Sequence, residues 1–299
     1  MDSWTSASRW TDLDGPVFYL EWPGPRNSPT FVLLHGLGGS HANWVRAAPA
    51  LSELGRVLVP DLAGSGRTPR AGRSSGVAAN RGLLSRFLLQ ICDGGPVVLC
   101  GNSLGGSLAL LQAACEPDSV LGVAANGAAL PPAPGRAPSA VVLSGTAIYA
   151  LPEVGEILGW LRLKALPPEW LIRMGFKVVL GDPSTVPEDV RRLHVELVRD
   201  QQAEPDAVQA FVQTTRSILA WMTRPDLARA YIDAVTCPVL LMHGGRDRVV
   251  PLKPTLAAAK PDWDVRVFPE LGHVSQLEAP DVWLDEVRRW VERNGWAGR

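Results

Sequence analysis

Short runs of consecutive apolar residues, separated by turns and helical segments, constrain the fold of this chain most. Six runs are continuous rather than alternating: residues 30–34, 56–59, 97–100, 120–125, 239–242 and 265–268. Strands that are buried on both faces of a parallel sheet have this pattern. A further run at residues 17–22 precedes them and is typical of an edge strand. The sequence therefore predicts a mostly parallel central sheet.

Helical segments separate several of these runs. They span residues 43–54, 77–92, 104–115, 254–260 and 280–292. In the last segment, Val282, Trp283, Val287 and Trp290 recur at spacings of three to four, which places them on one stripe of a helix. Alternation of strands and helices predicts an α/β fold in which helices cover both faces of the sheet.

The middle of the chain departs from this alternation. Residues 131–230 contain no run typical of a buried strand, and proline residues divide them into helical segments such as 153–166, 188–200 and 206–222. We expect these residues to form a helical insertion, with residues 1–130 and 231–299 forming the core domain. A stretch rich in proline, alanine and glycine at residues 131–138 suits the boundary of an insertion.

Composition excludes several classes of function. Lys and Arg total 29 and Asp and Glu total 30, so there is no excess of positive charge to bind nucleic acid. The first 15 residues lack the basic start and apolar run of a secretory signal, which predicts a cytoplasmic location. Acidic residues and proline interrupt the apolar stretch at residues 140–163, so no membrane span is expected. The cysteines and histidines lack the spacing of metal ligands, so no metal is expected either.

The strongest chemical signal is the motif Gly-Asn-Ser-Leu-Gly-Gly at residues 101–106. An apolar strand precedes it and a helical run follows it. In a G-x-S-x-G turn of this kind, glycine is needed because a side chain at either position would collide with neighbouring backbone. The motif predicts that Ser103 projects above the edge of the sheet as a nucleophile. The amides and the positive dipole end of the following helix then face any negative charge that forms there.

A serine hydroxyl needs a base near pKa 7 and a group that orients this base. His273 follows the run at 265–268, and Asp247 follows the run at 239–242. Both therefore lie beyond the carboxyl ends of predicted parallel strands, where ligands bind in open α/β sheets. The order Ser, Asp, His along the chain predicts a catalytic triad of Ser103, Asp247 and His273.

A glycine-rich loop after the first buried run supplies a further component. Residues 35–39 read His-Gly-Leu-Gly-Gly. Such a turn can direct a backbone N–H at the oxyanion of a tetrahedral intermediate, and we assign this role to Leu37. The backbone N–H of Leu104 is the second expected donor.

With these motifs in order, the chain resembles the α/β-hydrolase superfamily, in particular serine hydrolases that carry a helical cap, of the esterase and meta-cleavage-product hydrolase kind. The resemblance covers nearly the whole sequence and rests on residues 35–39, 43–44, 61–66, 101–106, 244–251 and 272–280. It implies the α/β-hydrolase fold with a helical cap insertion, an Asp-supported His, a Ser nucleophile and no cofactor. Asp61 is implied to hold a loop rather than to react.

Ser103 separates reaction classes within this superfamily. Related dehalogenases and epoxide hydrolases use Asp at this position, and attack by Ser on saturated carbon would leave a stable ether. We therefore expect a small-molecule ester or other acyl substrate, and favour hydrolysis of a carboxylic ester of small to medium size through an acyl-enzyme. Hydrolysis of a carbon–carbon bond in a vinylogous diketone acid is an alternative, although those enzymes usually carry Trp where this chain has Val274. A ligand-binding protein with slow turnover is a third hypothesis.

Six further residues are candidates for substrate binding. They are His35, Trp44, Asn102, Trp160, Trp221 and Val274. Arginines of the insertion, including Arg162 and Arg173, are candidates for a substrate carboxylate, although a solvated helix face is the commoner role of such residues.

Overall fold

An eight-stranded sheet forms the centre of the computed structural model, which describes residues 7–131 and 147–296. The strands are β1 Ser8–Asp12, β2 Pro16–Trp22, β3 Thr30–Leu34, β4 Arg56–Pro60, β5 Val97–Asn102, β6 Val120–Asn126, β7 Val239–Gly244 and β8 Asp264–Phe268. Their order is β1-β2-β4-β3-β5-β6-β7-β8. β1 and β2 are antiparallel to their neighbours, and the remaining strands pair in parallel. The predicted α/β fold with a mostly parallel sheet is confirmed.

The apolar runs of β3 to β7 exist because both faces of the sheet are covered there. The prediction of a continuous buried run at residues 265–268 is wrong, because β8 lies at an edge of the sheet, contains Arg266 and is mostly partly exposed. In β3, Phe31 and Leu33 belong to one core cluster, and Val32 and Leu34 belong to the cluster on the opposite face. Every residue of β5 is buried. A strand in this position cannot alternate polar and apolar residues, because neither of its faces meets water.

Helices surround this sheet. The described α-helices are α1 Ala48–Leu51, α2 Val77–Ile91, α3 Leu104–Cys115, α4 Val154–Trp160, α5 Pro168–Val179, α6 Glu188–Ala203, α7 Ala207–Met222, α8 Pro225–Ala234, α9 Leu252–Ala258, α10 Ser275–Glu278 and α11 Pro280–Arg293. Helices α4 to α8 lie between β6 and β7 in the sequence, and this stretch is called the insertion below. Helix α8 extends four residues past the predicted boundary at residue 230. No described helix is both long and apolar enough to cross a bilayer.

Several predicted bounds differ from the structure. The sequence missed β1, whose residues are mostly polar and at least partly exposed because it lies at the edge of the sheet. It also missed α5 and α8, each of which begins with proline at its first helical position. The helix predicted at residues 43–54 is wrong, because His41–Asn43 forms a 3₁₀ turn and only Ala48–Leu51 is α-helical. Apart from Pro131, the predicted boundary at 131–138 lies outside the described residues.

Candidate active site

The carboxyl ends of β5, β6, β7 and β8 bring the sequence motifs to one edge of the sheet. Ser103 follows β5 directly, Asp247 lies three residues beyond β7, and His273 lies five residues beyond β8. These strands are parallel neighbours, so their carboxyl ends point the same way. The fold therefore gathers on one side three side chains that are far apart in the sequence.

Ser103 occupies a strained turn between β5 and α3. Its φ of 57° and ψ of −117° lie outside the regions that non-glycine residues normally adopt. A β-carbon at Gly105 would overlap the carbonyl oxygen of Leu34, and one at Gly101 would overlap that of Gly105. Glycine at both positions thus lets α3 approach the sheet closely enough to force this turn. The backbone N–H of Ser103 donates to the carbonyl oxygen of Asn126 at 2.9 Å, which fixes the turn to β6.

A second turn, at residues 36–39, lies against Ser103. The N–H of Gly39 donates to the carbonyl oxygen of Gly36 at 3.1 Å, and Gly38 has a φ of 67°. A β-carbon at Gly36 would lie 3.5 Å from Oγ of Ser103, so the backbone of this turn closely approaches the hydroxyl. Leu37 lies within the turn, and Leu104 begins α3, where the first amides of a helix have no intrahelical partner. The backbone segments that contain the two predicted oxyanion donors, Leu37 and Leu104, therefore lie next to Ser103.

His273 and Asp247 form a buried pair. Nδ1 of His273 donates to Oδ2 of Asp247 at 2.7 Å, and the two side chains are 5% and 1% exposed. The other carboxylate oxygen accepts the N–H groups of Val249 and Val250 at 2.7 and 2.9 Å. The carboxylate accepts the hydrogen carried by Nδ1 of His273. Nε2 therefore carries the lone pair and is the ring nitrogen that can take a proton.

Opposing effects act on the pKa of Asp247. Burial is the largest single effect and would raise it, but the charge and hydrogen bond of His273 together with the N–H of Val250 outweigh burial. The pKa of Asp247 is consequently lowered, and the carboxylate is ionised at neutral pH. His243 lies behind the pair, with Nε2 3.7 Å from Oδ2 of Asp247. Burial lowers the pKa of His243, so this second imidazole is neutral beside the carboxylate.

Two asparagines hold the backbone of His273. Nδ2 of Asn102 donates to the carbonyl oxygen of His273 at 2.9 Å, and Nδ2 of Asn126 donates to the same oxygen at 3.2 Å. Asn102 immediately precedes Ser103. This one residue therefore connects the serine turn, between β5 and α3, with the histidine loop, which lies between β8 and α10 and carries His273. The structure places Asn102, which is 2% exposed, as a support for His273 rather than as a surface for substrate.

The insertion also holds the histidine loop. The carbonyl oxygen of Val179, at the end of α5, accepts the N–H of His273 at 2.7 Å. The buried carboxylate of Glu278 accepts three backbone N–H groups, those of Gly181, Asp182 and Gly272, at 3.0, 2.7 and 2.8 Å. Glu278 therefore joins the segment after α5 to the residue before His273. Sequence reasoning missed this role, although Glu278 lies within the quoted motif at residues 272–280.

His35 supports the loop at residues 35–39 and is 1% exposed. Its Nδ1 donates to the carbonyl oxygen of Gly36 at 2.8 Å, and its Nε2 accepts the N–H of Leu62 at 3.0 Å. With both ring nitrogens engaged, His35 has no free group to offer a substrate. The neighbouring Asp61 is fully buried and accepts the N–H groups of His41 and Arg67 at 2.6 and 2.9 Å, so it holds the adjacent loop.

The four other residues predicted to contact substrate lie in different surroundings. Trp44 is fully buried and packs edge-on against Trp283, with ring centroids 5.4 Å apart. Val274 is also buried, within the same core cluster. Trp160 is exposed at the end of α4, and Trp221 lines a groove of about 290 Å³ together with Val77, Leu111 and Tyr231. Nε1 of Trp221 also donates to the carbonyl oxygen of Ala129, whose N–H donates to the carbonyl oxygen of Ser103. Trp44 and Val274 therefore have no surface to offer a substrate, and substrate contact by Trp160 and Trp221 stays a prediction.

Phe211 of α7 lies over the turn at residues 36–39, which is called the glycine turn below. The sequence analysis did not predict this contact. Its Cε2 would be 3.8 Å from a β-carbon at Gly38. The ring of Tyr149 packs edge-on against it at 5.2 Å, and the guanidinium carbon of Arg162 lies 4.9 Å from its centroid. The sequence contains no signal for this placement, because Phe211 is one of many apolar residues in an amphipathic helix.

The structure brings the strained Ser103, the buried His273–Asp247 pair and the turn at residues 36–39 to one edge of the sheet. A serine triad site requires a hydroxyl, an imidazole held by a carboxylate, and backbone amides that face the oxyanion. Within the described ranges 7–131 and 147–296, no group of three His, Cys, Asp or Glu side chains is arranged to hold a metal ion.

Known proteins of similar sequence and structure match most of the length of this chain. Pimeloyl-acyl-carrier protein methyl ester esterase of Aromatoleum aromaticum is 29% identical over 274 residues, covering 88% of this chain and 99% of that protein. 2-Hydroxymuconate semialdehyde hydrolase of Pseudomonas sp. strain CF600 is 26% identical over 275 residues, covering 83% and 81%. The crystal structure of a haloalkane dehalogenase from Bradyrhizobium elkani has a TM-score of 0.78 at 19% identity, covering 96% of this chain and 98% of that chain.

The dehalogenase likeness concerns the fold alone. The model of the alpha/beta hydrolase family matches residues 31–286, a span that includes Ser103, Asp247 and His273. This match extends over far more than half of the chain. The protein therefore belongs to the α/β-hydrolase family.

Proposed function

We propose that this protein is a serine hydrolase that cleaves a carboxylic ester of small to medium size. The observation that carries the proposal is the buried hydrogen bond between His273 and Asp247, at the same sheet edge as the strained Ser103. An imidazole in this setting is oriented and can accept a proton at Nε2. The esterase among the relatives supports the same reaction class.

The chemistry follows from the roles of these groups. Oγ of Ser103 attacks the ester carbonyl carbon while Nε2 of His273 takes the hydroxyl proton. The N–H groups of Leu37 and Leu104 stabilise the oxyanion, and loss of one such donor costs roughly 2.7–4 kcal/mol in a related site. The intermediate expels the alcohol, which takes the proton from His273. Water, deprotonated by His273, then attacks the acyl carbon, and His273 returns the proton to Oγ of Ser103 as the carboxylic acid leaves.

We assign residues 131–230 as a cap over this site and the remaining residues as the core domain. Phe211 lies over the glycine turn and Tyr149 packs against Phe211, so these rings supply an apolar surface for one part of the ester. Arg162 stacks on Phe211 at the outer side of this surface. The site therefore suits a substrate that is partly enclosed rather than a polymer.

Hydrolysis of a carbon–carbon bond is the second candidate function, because a semialdehyde hydrolase is among the relatives. The same nucleophile and base would serve that reaction. Val274 follows His273 here, where the resembled carbon–carbon hydrolases carry Trp, and this difference favours the ester.

The test uses p-nitrophenyl esters of graded chain length and a fluorophosphonate label read by intact mass. We expect turnover and a single label in the wild-type protein, and neither in Ser103→Ala. Ser107→Ala is the matched control, since Ser107 lies one helical turn further along and its hydroxyl donates to the carbonyl oxygen of Ala129 at 2.8 Å. It should keep the label.

Undiminished turnover in Ser103→Ala would contradict the nucleophile assignment. Labelling without turnover of any ester would favour the carbon–carbon substrate. No turnover, combined with strong thermal stabilisation by one ligand, would favour a ligand-binding protein.

A further inference from the structure

Helix α5 presents an apolar line to solvent. Trp170, Met174 and Val178 follow one another at intervals of four residues, and they are 41%, 36% and 49% exposed. This spacing places all three on one side of the helix. On the opposite side, Phe176 is buried in the core cluster and Ile172 packs against it. The helix is therefore anchored by one apolar face and leaves a second one uncovered.

Exposed apolar residues are concentrated in this part of the insertion. Among the described residues, the exposed large hydrophobic side chains between positions 148 and 178 are Ile148, Leu151, Val154, Ile157, Trp160, Leu161, Trp170, Met174 and Val178. The other such residues are scattered singly, as Leu89 and Val282 are. Scattered apolar residues are normal on a protein surface, whereas a concentration of them marks a surface that meets a partner.

Basic residues accompany the apolar line on α5. Arg173 and Lys177 are exposed and lie between Trp170, Met174 and Val178 along the helix. Arg248 donates to the carbonyl oxygen of Lys177 at 2.6 Å and adds a third cation at the end of the helix. Among the ion pairs of the described residues, none involves these three cations. The one acidic residue of α5, Glu169, is paired with Arg199.

We propose that the α5 face, formed by Trp170, Arg173, Met174, Lys177 and Val178, docks on an anionic lipid surface. Amphipathic helices that lie in a membrane interface combine Trp and aliphatic residues with Lys and Arg in this way. The apolar side chains enter the boundary region while the cations reach the lipid phosphates. A second copy of the chain fits this face less well, because a two-fold contact would bring like charges together.

The position of α5 connects this surface with the candidate active site. The helix ends at Val179, whose carbonyl oxygen accepts the N–H of His273. Arg248 is adjacent to Asp247 in the sequence. Lipid bound at the α5 face would therefore lie beside the histidine loop, where an ester held in a membrane could reach the site. Docking itself does not depend on the chemistry of Ser103.

Vesicle binding tests this proposal with the intact chain. The protein is sedimented with vesicles of phosphatidylcholine alone and of phosphatidylcholine mixed with phosphatidylglycerol, at low and at physiological salt. We expect binding to the anionic vesicles, weakened by salt, and little binding to the neutral ones. Tryptophan emission should shift to shorter wavelength on binding, and Trp170→Phe should remove part of this shift.

Paired variants separate charge from folding. Arg173→Glu with Lys177→Glu should lower the partition coefficient by about 25-fold or more, because each basic side chain near an anionic membrane contributes roughly fivefold. Arg224→Glu with Lys253→Glu changes the net charge equally at exposed positions elsewhere and should change binding far less. Met174→Ser should weaken binding, whereas Leu89→Ser should not. The charge-reversal variants should keep the wild-type melting temperature, since these residues are exposed.

Four results would overturn the proposal. They are absence of binding to either vesicle, equal binding to neutral and anionic vesicles, equal losses in the two charge-reversal pairs, and a dimer in light scattering that Trp170→Ala dissociates. Displacement from vesicles by poly-glutamate, without any change of the Trp170 emission on binding, would assign the face to an acidic macromolecule instead.

Discussion

The two halves of the candidate active site are built by different means. The serine half, which comprises Ser103 and the turn at residues 36–39, is shaped by close approach of backbone segments, where Gly101 and Gly105 leave room for neighbouring carbonyl groups. The histidine half, which comprises Asp247 and His273, is held by hydrogen bonds from distant segments. The serine half is thus sensitive to added atoms, and the histidine half is sensitive to the loss of a donor or acceptor.

This difference separates a local requirement from a long-range one. The two glycines that make room for the serine turn, Gly101 and Gly105, flank Ser103 in the sequence. The partners of the histidine loop are Asn102, Asn126, Val179 and Glu278, which come from two strands, the insertion and α10. Substitutions in the two halves should therefore have different signatures.

The largest effect is expected for Asp247→Asn in the histidine half. The asparagine oxygen can still accept the N–H groups of Val249 and Val250, so the loop should remain folded. The wrong tautomer of His273 is then favoured, and kcat for a p-nitrophenyl ester should fall by about 10⁴-fold. Asp226→Asn, at an exposed position, serves as the control. Near-normal turnover in Asp247→Asn would remove Asp247 from the triad.

In the serine half, Gly105→Ala should lower the free energy of unfolding by about 3 kcal/mol, since the added methyl group would overlap the carbonyl oxygen of Leu34. Thermal and denaturant unfolding measure this change. Gly82→Ala in α2 is the matched control, because its added carbon would approach only the end of Arg86, at 3.9 Å. That variant should be as stable as the wild type or slightly more so. Equal effects of the two substitutions would contradict the requirement for close approach.

Glu278→Gln should loosen the histidine half. The amide group of glutamine would face one or more of the N–H groups that the carboxylate accepts, and unfolding free energy should fall by about 2 kcal/mol. Hydrogen exchange should accelerate at Gly181 and Asp182 but not at Leu104, and kcat should fall by about tenfold. Glu270→Gln, an exposed residue paired with Arg246, is the control. Unchanged exchange at Gly181 would show that Glu278 does not hold this segment.

The smallest effect concerns pH. His194 of α6 packs edge-on against Phe176 of α5, and burial lowers the pKa of His194 to about 4. The unfolded chain, with a pKa of 6.5, binds this proton first as the pH falls. The stability that depends on neutral His194 is therefore complete above pH 6.5 and is lost progressively towards pH 4, with about 1 kcal/mol lost between pH 7 and pH 5.5.

His194→Phe should reduce this pH dependence by removing the titrating group. Denaturant unfolding at the two pH values measures the change. Some dependence should remain, because burial also lowers the pKa of His35 and of His243. An unchanged slope in His194→Phe would contradict the assignment.

Sequence reasoning predicted the sheet because a strand covered on both faces must be a continuous apolar run. It placed Ser103 in a strand-to-helix turn because the glycines around it have a steric meaning that can be read locally. It failed for β1, an edge strand that needs no such run, and for α5, whose exposed side also carries a line of apolar residues. Trp44 shows a related limit, since an aromatic residue gives the same signal whether it packs in a core or lines a pocket.

The sequence by itself determined the α/β fold class and the turn that carries Ser103, because both depend on residues that are neighbours in the chain. Tertiary structure decided which groups surround His273. The carboxylate of Glu278 and the carbonyl oxygen of Val179 reach that loop from segments almost 100 positions apart, and the ring of Phe211 reaches the glycine turn from the insertion. Such contacts follow from the packing of the insertion against the core, which no local pattern of residues encodes.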